Sequence, residues 1–115
     1  MTLPARATPP GLREYGAGVA PTVTDAPERS RLELRDGDEL VGWLDYRPAG
    51  DSVILAHTEV VGAYGRRGFG GVLVRAALDH VAAEGRTAIP LCAFAAAYID
   101  RHPELVQHVD PSFRA

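Results

Sequence analysis

His57-Thr-Glu-Val-Val-Gly-Ala-Tyr-Gly-Arg-Arg-Gly-Phe-Gly-Gly-Val-Leu-Val74 is the segment that most narrows what this chain can fold into. It reads as a strand that stops, a turn rich in glycine and arginine, and the start of a helix. A turn of this kind offers bare backbone N–H groups and two cations at the positive end of a helix, which suits a phosphate-bearing ligand.

The flanking sequence extends this junction into a strand-helix-strand unit. Gly68 to Glu84 predicts a helix: Phe69, Leu73, Ala76, Ala77 and His80 recur at three- and four-residue steps, with Val72 and Val81 close by. Arg75, Asp79, Glu84 and Arg86 supply the polar side, and Gly85 suits the residue just past the helix end. Thr87 to Cys92 predicts a buried strand. A crossover of this length makes strands 52–61 and 87–92 parallel and right-handed in their connection. Upstream, Arg31 to Arg35 alternates as a strand does, Asp36-Gly37 signals a hairpin, and Leu40 to Arg47 is a second strand carrying Trp43 and Tyr46. Pro48 to Asp51 reads as another turn. Ala93 to Asp100 predicts a helix that His102-Pro103 breaks, and Pro103 begins another through about His108. The fold class is therefore α/β: a mixed sheet, an antiparallel meander followed by a βαβ crossover and short C-terminal helices. Residues 1–22, rich in Pro, Gly, Ala and Thr without an apolar period, read as a flexible tail before a domain over 23–115.

Composition removes several function classes. The 115 residues amount to one domain. There is no lysine, so a Schiff-base lysine and a Walker-type phosphate lysine are both excluded. There is no asparagine and hence no N-glycosylation acceptor. A net charge of −3 argues against non-specific nucleic-acid binding. Cys92 is the lone cysteine and forms no internal disulfide. With His57, His80, His102 and His108 scattered, no metal-ligand spacing exists, and no metal is expected. No apolar run has the length of a signal peptide core or a bilayer span, so a cytoplasmic protein with no membrane partner is the expectation.

Gly65-Arg-Arg-Gly68-Phe-Gly70 is spaced G-x-x-G-x-G, the reverse of the dinucleotide fingerprint G-x-G-x-x-G. The second strand ends in Pro-Leu-Cys without the acidic residue that fingerprint needs. A turn of R-x-G-x-G type at a strand-to-helix junction instead resembles the pyrophosphate loop of acetyl-CoA-dependent N-acetyltransferases. From about Arg29 to Val109 the chain resembles the GNAT superfamily, in particular its small single-domain members. The resemblance rests on His57-Thr-Glu-Val60, Arg67-Gly-Phe-Gly70, Leu73-Val74, Glu84-Gly85, Pro90-Leu-Cys92, Phe94, Tyr98-Ile99 and His102-Pro-Glu104, in that order and at those spacings. It implies an acyl-CoA N-acyltransferase-like fold with acetyl-CoA at a splay between strands 52–61 and 87–92. The pantetheine arm would meet backbone at Val60 and Val61. The pyrophosphate would lie on Arg66, Arg67, Gly68, Phe69, Gly70 and Gly71, with Gly68 and Gly70 letting the anion approach. Where many members carry Gln or Arg, this chain has Gly65, with Arg66 beside it. Ala93 stands where a proline is common.

Period two puts Val53, Leu55, His57 and Glu59 on one face of their strand. Acetyl transfer needs a neutral amine, so His57 suits a general base that Glu59 orients; it also suits a structural histidine at a strand end. Cys92 has three readings open: a nucleophile that first takes the acetyl group, a proton donor to the departing thiolate, or a small buried hydrophobe. The thioester is expected between Cys92 and His57. His80 reads as packing or partly exposed, Tyr98 and His102 as core closure or cofactor contact, Trp43 and Tyr46 as core or groove wall. The implied activity is acetyl transfer to a primary amine by a monomer or small homo-oligomer, with an acyl-CoA-binding module that does no chemistry as the rival.

Overall fold

A computed structural model of the chain describes residues 21–62 and 68–114. Five strands are β1 (Thr22–Ala26), β2 (Arg31–Asp36), β3 (Glu39–Ala49), β4 (Ser52–Val60) and β5 (Thr87–Pro90). Helix α1 (Phe69–Ala83) connects β4 to β5, and α2 (Ala93–Asp100) follows. The strands lie in sequence order in one sheet, antiparallel up to β4 and parallel between β4 and β5. This is the mixed sheet, meander and crossover that the sequence predicts. The tail expected over 1–22 falls almost wholly outside the described residues, as do Gly65, Arg66 and Arg67.

Several boundaries differ from the sequence expectation, each for a local reason. β1 pairs residue for residue with β2, yet only Val23 and Ala26 are buried on it. That three-residue spacing hides a strand from a period-two reading. β3 continues through Pro48 and Ala49, which pair with Val53 and Ser52, so the reversal is left to Gly50-Asp51 with Gly50 at φ 65°. β5 stops at Pro90 instead of reaching Cys92, because Leu91 turns back to bond the Ile89 carbonyl at 3.0 Å. Pro103–His108 is a 3-10 helix.

The core forms where the helices cover one face of the sheet. Leu32, Leu34, Leu44 and Leu55 from β2, β3 and β4 are fully buried, as are Leu73, Val74, Leu78 and Val81 of α1. Each such side chain contributes roughly 1.5–3 kcal/mol on leaving water. α1 is buried around more of its circumference than one stripe, since α2 flanks its first turns. A Cβ on Gly70 would lie 2.5 Å from the Phe94 ring, and one on Gly71 2.5 Å from the Tyr98 ring. These glycines exist to seat two aromatic rings.

β4 carries a bulge. Asp45 of β3 faces His57, but the next residue, Tyr46, faces Leu55, which leaves Ala56 unmatched. A bulge puts every later side chain one step out of phase. Val53 and Leu55 are buried on the core side, and beyond the bulge Thr58 and Val60 take over that side. His57 and Glu59 therefore face the other way and are exposed. The expectation that Val53, Leu55, His57 and Glu59 share one face fails for this reason.

On the outer face the pairing lines up Glu33, Trp43 and Glu59 in one row and Arg31, Asp45 and His57 in the next. Glu33 is buried all the same, because Arg29, Arg31 and Arg35 close over it at 2.7–3.0 Å. The Arg31 guanidinium sits 5.1 Å above the Trp43 ring. Trp43 is thus a wall of the outer face, not core.

Candidate active site

β4 and β5 begin together and then separate. β5 pairs with Ser52 to Leu55 only, and the Cys92 N–H donates the last backbone bond across, to the Leu55 carbonyl at 3.0 Å. β4 runs on to Val60, while the other chain turns at Leu91 and enters α2. Pro90 has no N–H to continue the ladder. A wedge opens between β4 beyond Leu55 and the start of α2, and among the described residues no strand lies opposite β4 there.

Cys92 occupies the residue just before α2, on the wedge wall. Its Sγ lies 3.6 Å from Thr58 Oγ1. Burial pushes the thiol up, but the backbone N–H of Ala95, the Thr58 hydroxyl and the backbone of Phe94 and Thr58 together hold it below its ordinary value. A helix N-terminus favours a thiolate for the same reason it favours any anion. Val61, Leu91 and Phe94 are exposed apolar side chains flanking this wall and the end of β4.

α1 starts from Gly68, whose φ of 75° lies in the left-handed region that glycine enters without strain. Its carbonyl accepts the Val72 N–H at 3.2 Å. No acidic residue occupies the first turn, so nothing there opposes the positive end of the helix. Phe69 is buried, and the space beside Gly70 and Gly71 belongs to the rings of Phe94 and Tyr98. Beside the expectation that Gly70 is glycine to admit an anion, the structure gives a packing reason: a Cβ there would meet the Phe94 ring.

His57 Nε2 and Glu59 Oε1 are 3.0 Å apart on the outer face, next to Asp45. The bulge keeps them from the Cys92 side of β4, so the two candidate catalytic groups address the wedge from opposite faces. Thr58, which the sequence reading passes over, is the β4 side chain that meets Cys92.

The remaining candidates hold the scaffold together. Arg75 Nε donates to Tyr98 Oη at 2.8 Å, and Arg75 reaches Glu104 at 3.2 Å. His102 stacks on Tyr98 at 4.1 Å. The Arg75–Tyr98 bond ties α2 to α1. Tyr46 and His80 lie near Asp25, at the other end of α1 from Gly68.

No curated protein matches the chain. Residues 31–109 match the family described as GCN5-related N-acetyl-transferase. The matched span starts at the first residue of β2 and ends at Val109, which bridges to Ala88 of β5. It contains the bulge, the wedge, Cys92 and the start of α1, and covers most of the chain. This chain therefore belongs to the GCN5-related N-acetyltransferase family.

Proposed function

We propose that the chain transfers an acetyl group from acetyl-CoA to a primary amine at the place where β4 and β5 part. One observation carries the reading: among the described residues, β4 beyond Leu55 has no partner strand on the side of Cys92, whose thiol is held below its ordinary value. A pantetheine arm alternates amides with methylenes, so it needs backbone partners and apolar cover together. The edge of β4 up to Val60 and Val61 offers the first; the side chains of Val61, Leu91 and Phe94 offer the second. The positive end of α1 over Gly68 to Gly71, with Arg66 and Arg67 preceding it, is assigned to the pyrophosphate. Phe69, Gly70 and Gly71 contribute there through backbone alone.

Bound acetyl-CoA supplies an activated thioester. Cys92, whose thiol is held below its ordinary value, is assigned the nucleophile's part: it takes the acetyl group as CoA leaves as thiolate, and the attacking amine then displaces it. His57, oriented by Glu59, takes the proton that an ammonium must lose before it can attack. Neither helix covers the outer face on which His57 lies, so the amine approaches from that side.

The test is CoA release with a panel of primary amines, repeated with Cys92→Ala and His57→Ala. Loss of the base lowers kcat/KM by roughly a hundredfold or more. A thermal shift with CoA runs alongside; a nanomolar ligand at micromolar concentration stabilises by about 4 kcal/mol. The separation of His57 and Cys92 onto opposite faces of β4 favours one second reading, an acyl-CoA-binding module without turnover. CoA binding with no turnover of any amine selects that module. Absence of any CoA shift sinks both.

A further inference from the structure

The outer face of the sheet carries opposite charge at its two sides. Over β2, Glu33 gathers three arginines. Arg29 Nη1 and Arg31 Nε donate to its Oε2 at 3.0 and 2.8 Å, and Arg35 Nη2 donates to its Oε1 at 3.0 Å. Over β4, His57 and Glu59 pair at 3.0 Å. Asp45 of β3 stands between the two sides, opposite Arg31 on one flank and His57 on the other. In the neighbouring row Trp43 stands opposite Glu33 and Glu59, with the Arg31 guanidinium 5.1 Å above its ring.

One carboxylate does not use up three guanidiniums. Glu33 offers about four acceptor positions, whereas the three arginines bring about fifteen N–H donors. Their side chains stay reachable, at 56%, 22% and 35% exposure for Arg29, Arg31 and Arg35, while that of Glu33 is 5% exposed. Counting Asp45 together with Glu33 still leaves positive charge in excess. Like charges gathered this closely repel; a further anion offsets the repulsion, and a cation adds to it. The planar fork of a guanidinium also matches the two oxygens of a carboxylate. The β4 side has the opposite preference, because Glu59 and Asp45 beside the imidazole attract an ammonium. His57, Asp45 and Arg31 are partners across three adjacent strands, so His57 and Arg31 are two strand spacings apart, roughly 10 Å.

We propose that this face binds an ω-amino acid, its ammonium beside His57, Glu59 and Asp45, its carboxylate on the arginines around Glu33, and its methylenes across Trp43. The inference rests on the reading that the amine approaches from the outer face, and it names the class of acceptor: a primary amine with a carboxylate several methylenes away. An alkylamine reaches the same base and gains nothing from the arginines.

Trp43 is the chain's one tryptophan and lies between the two ends of the ligand, so its fluorescence reports occupancy without any turnover. The full chain, without CoA, is titrated with 6-aminohexanoate, n-hexylamine and 3-aminopropanoate. 6-Aminohexanoate is expected to change the emission saturably and to bind about tenfold or more tightly than hexylamine. 3-Aminopropanoate carries the same charges too close together to span the strands and is expected to bind no better than hexylamine. Arg31→Gln, and separately Arg29→Gln at a more exposed position, bring the ratio of the 6-aminohexanoate and hexylamine affinities towards one. Damage to the fold weakens both ligands and leaves that ratio in place. A second arm measures CoA release with the same amines. Selective binding without release upholds this site and counts against acetyl transfer alone. Equal affinities for 6-aminohexanoate and hexylamine, or a ratio unmoved in both arginine variants, overturns the inference whatever the release shows.

Discussion

The two halves of β4 are built differently. From Ser52 to Leu55 the strand is hydrogen-bonded on both sides, by β3 and β5, and Val53 and Leu55 are buried beneath α1. From His57 to Val60 it is paired by β3 alone, and its side chains alternate between a cysteine on one face and open solvent on the other. Ala56, the bulged residue, divides them. The first half shows what a strand does when its task is stability. The second shows what remains when one partner strand is withdrawn: among the described residues, a strand edge without a partner strand and the Cys92 thiol beside it. The candidate site is where the sheet stops being complete.

Leu55→Ala strikes the first half and has the largest expected effect. The side chain is fully buried, so the substitution loses transfer energy and leaves a cavity, about 2–5 kcal/mol. Denaturant unfolding checks it. The alkylation profile of Cys92 in the remaining folded protein stays where it was. A loss below 1 kcal/mol would mean the two halves are not distinguished by packing in the way described.

Acid separates the halves by a different route. The row that crosses the second half, Glu59 to Trp43 to Glu33, ends in a buried carboxylate. Burial pushes Glu33 up, but hydrogen bonds from Arg31, Arg29 and Arg35 outweigh it and bring it from 4.5 down to about 2. A carboxyl lowered in the folded state stabilises fully above its unfolded value. That contribution is lost as pH falls from about 4.5 towards 2. The amount at stake is roughly 3 kcal/mol. Glu33→Gln lowers stability at pH 7 and flattens the acid limb of the stability curve. If the limb keeps its slope, other carboxylates are responsible.

Much of this was legible in the chain. Leu32, Leu34 and Leu44 alternate plainly, and the steps of Phe69, Leu73, Ala76 and Ala77 give α1. The expected helix start at Gly68 lies one residue from the observed first residue, Phe69, with Gly68 itself capping the helix at φ 75°. The bulge was not legible. Ala56 is an ordinary strand residue, and the side-chain order Val-Ile-Leu-Ala-His-Thr-Glu-Val continues through it without a signal. Misplacing that one residue moves His57 and Glu59 to the wrong face and hides Thr58. β1 carries no period-two signal, since Thr24 and Asp25 break its apolar pattern, and Asp25 is held by Tyr46, twenty-one positions away. The packing role of Gly70 and Gly71 has no sequence signal, because the neighbours that need it, Phe94 and Tyr98, come from the following helix.

Gly71→Ala tests the far wall of the wedge. The new Cβ would stand 2.5 Å from the Tyr98 ring, which is held by Arg75 on one side and His102 on the other. Tyr98 has little room to yield, so a cost of about 1–3 kcal/mol is expected. α2 then shifts and takes Cys92 with it, which should broaden the thiol's titration. Gly70→Ala costs less, since Phe94 is 40% exposed and can turn outward. Equal costs would show that α2 moves as a body instead of yielding ring by ring.

The smallest expected effect on stability bears most directly on the site. Thr58→Val keeps the shape of the side chain and removes the hydroxyl 3.6 Å from Cys92 Sγ. The residue is half-buried in the singly paired half of β4, so stability should change by no more than about 1 kcal/mol. The thiol responds more clearly. It keeps the N–H of Ala95 and the backbone of Phe94 and Thr58 but loses the hydroxyl, so its pKa rises. The rate of alkylation by iodoacetamide, followed against pH, should move its midpoint upward and fall at neutral pH. Leu55→Ala, only three residues away, should do the reverse: unfold the protein readily and leave that midpoint alone. An unmoved midpoint in Thr58→Val would assign the lowered pKa of Cys92 to the start of α2 by itself, and the Thr58 side chain would then contribute nothing to it.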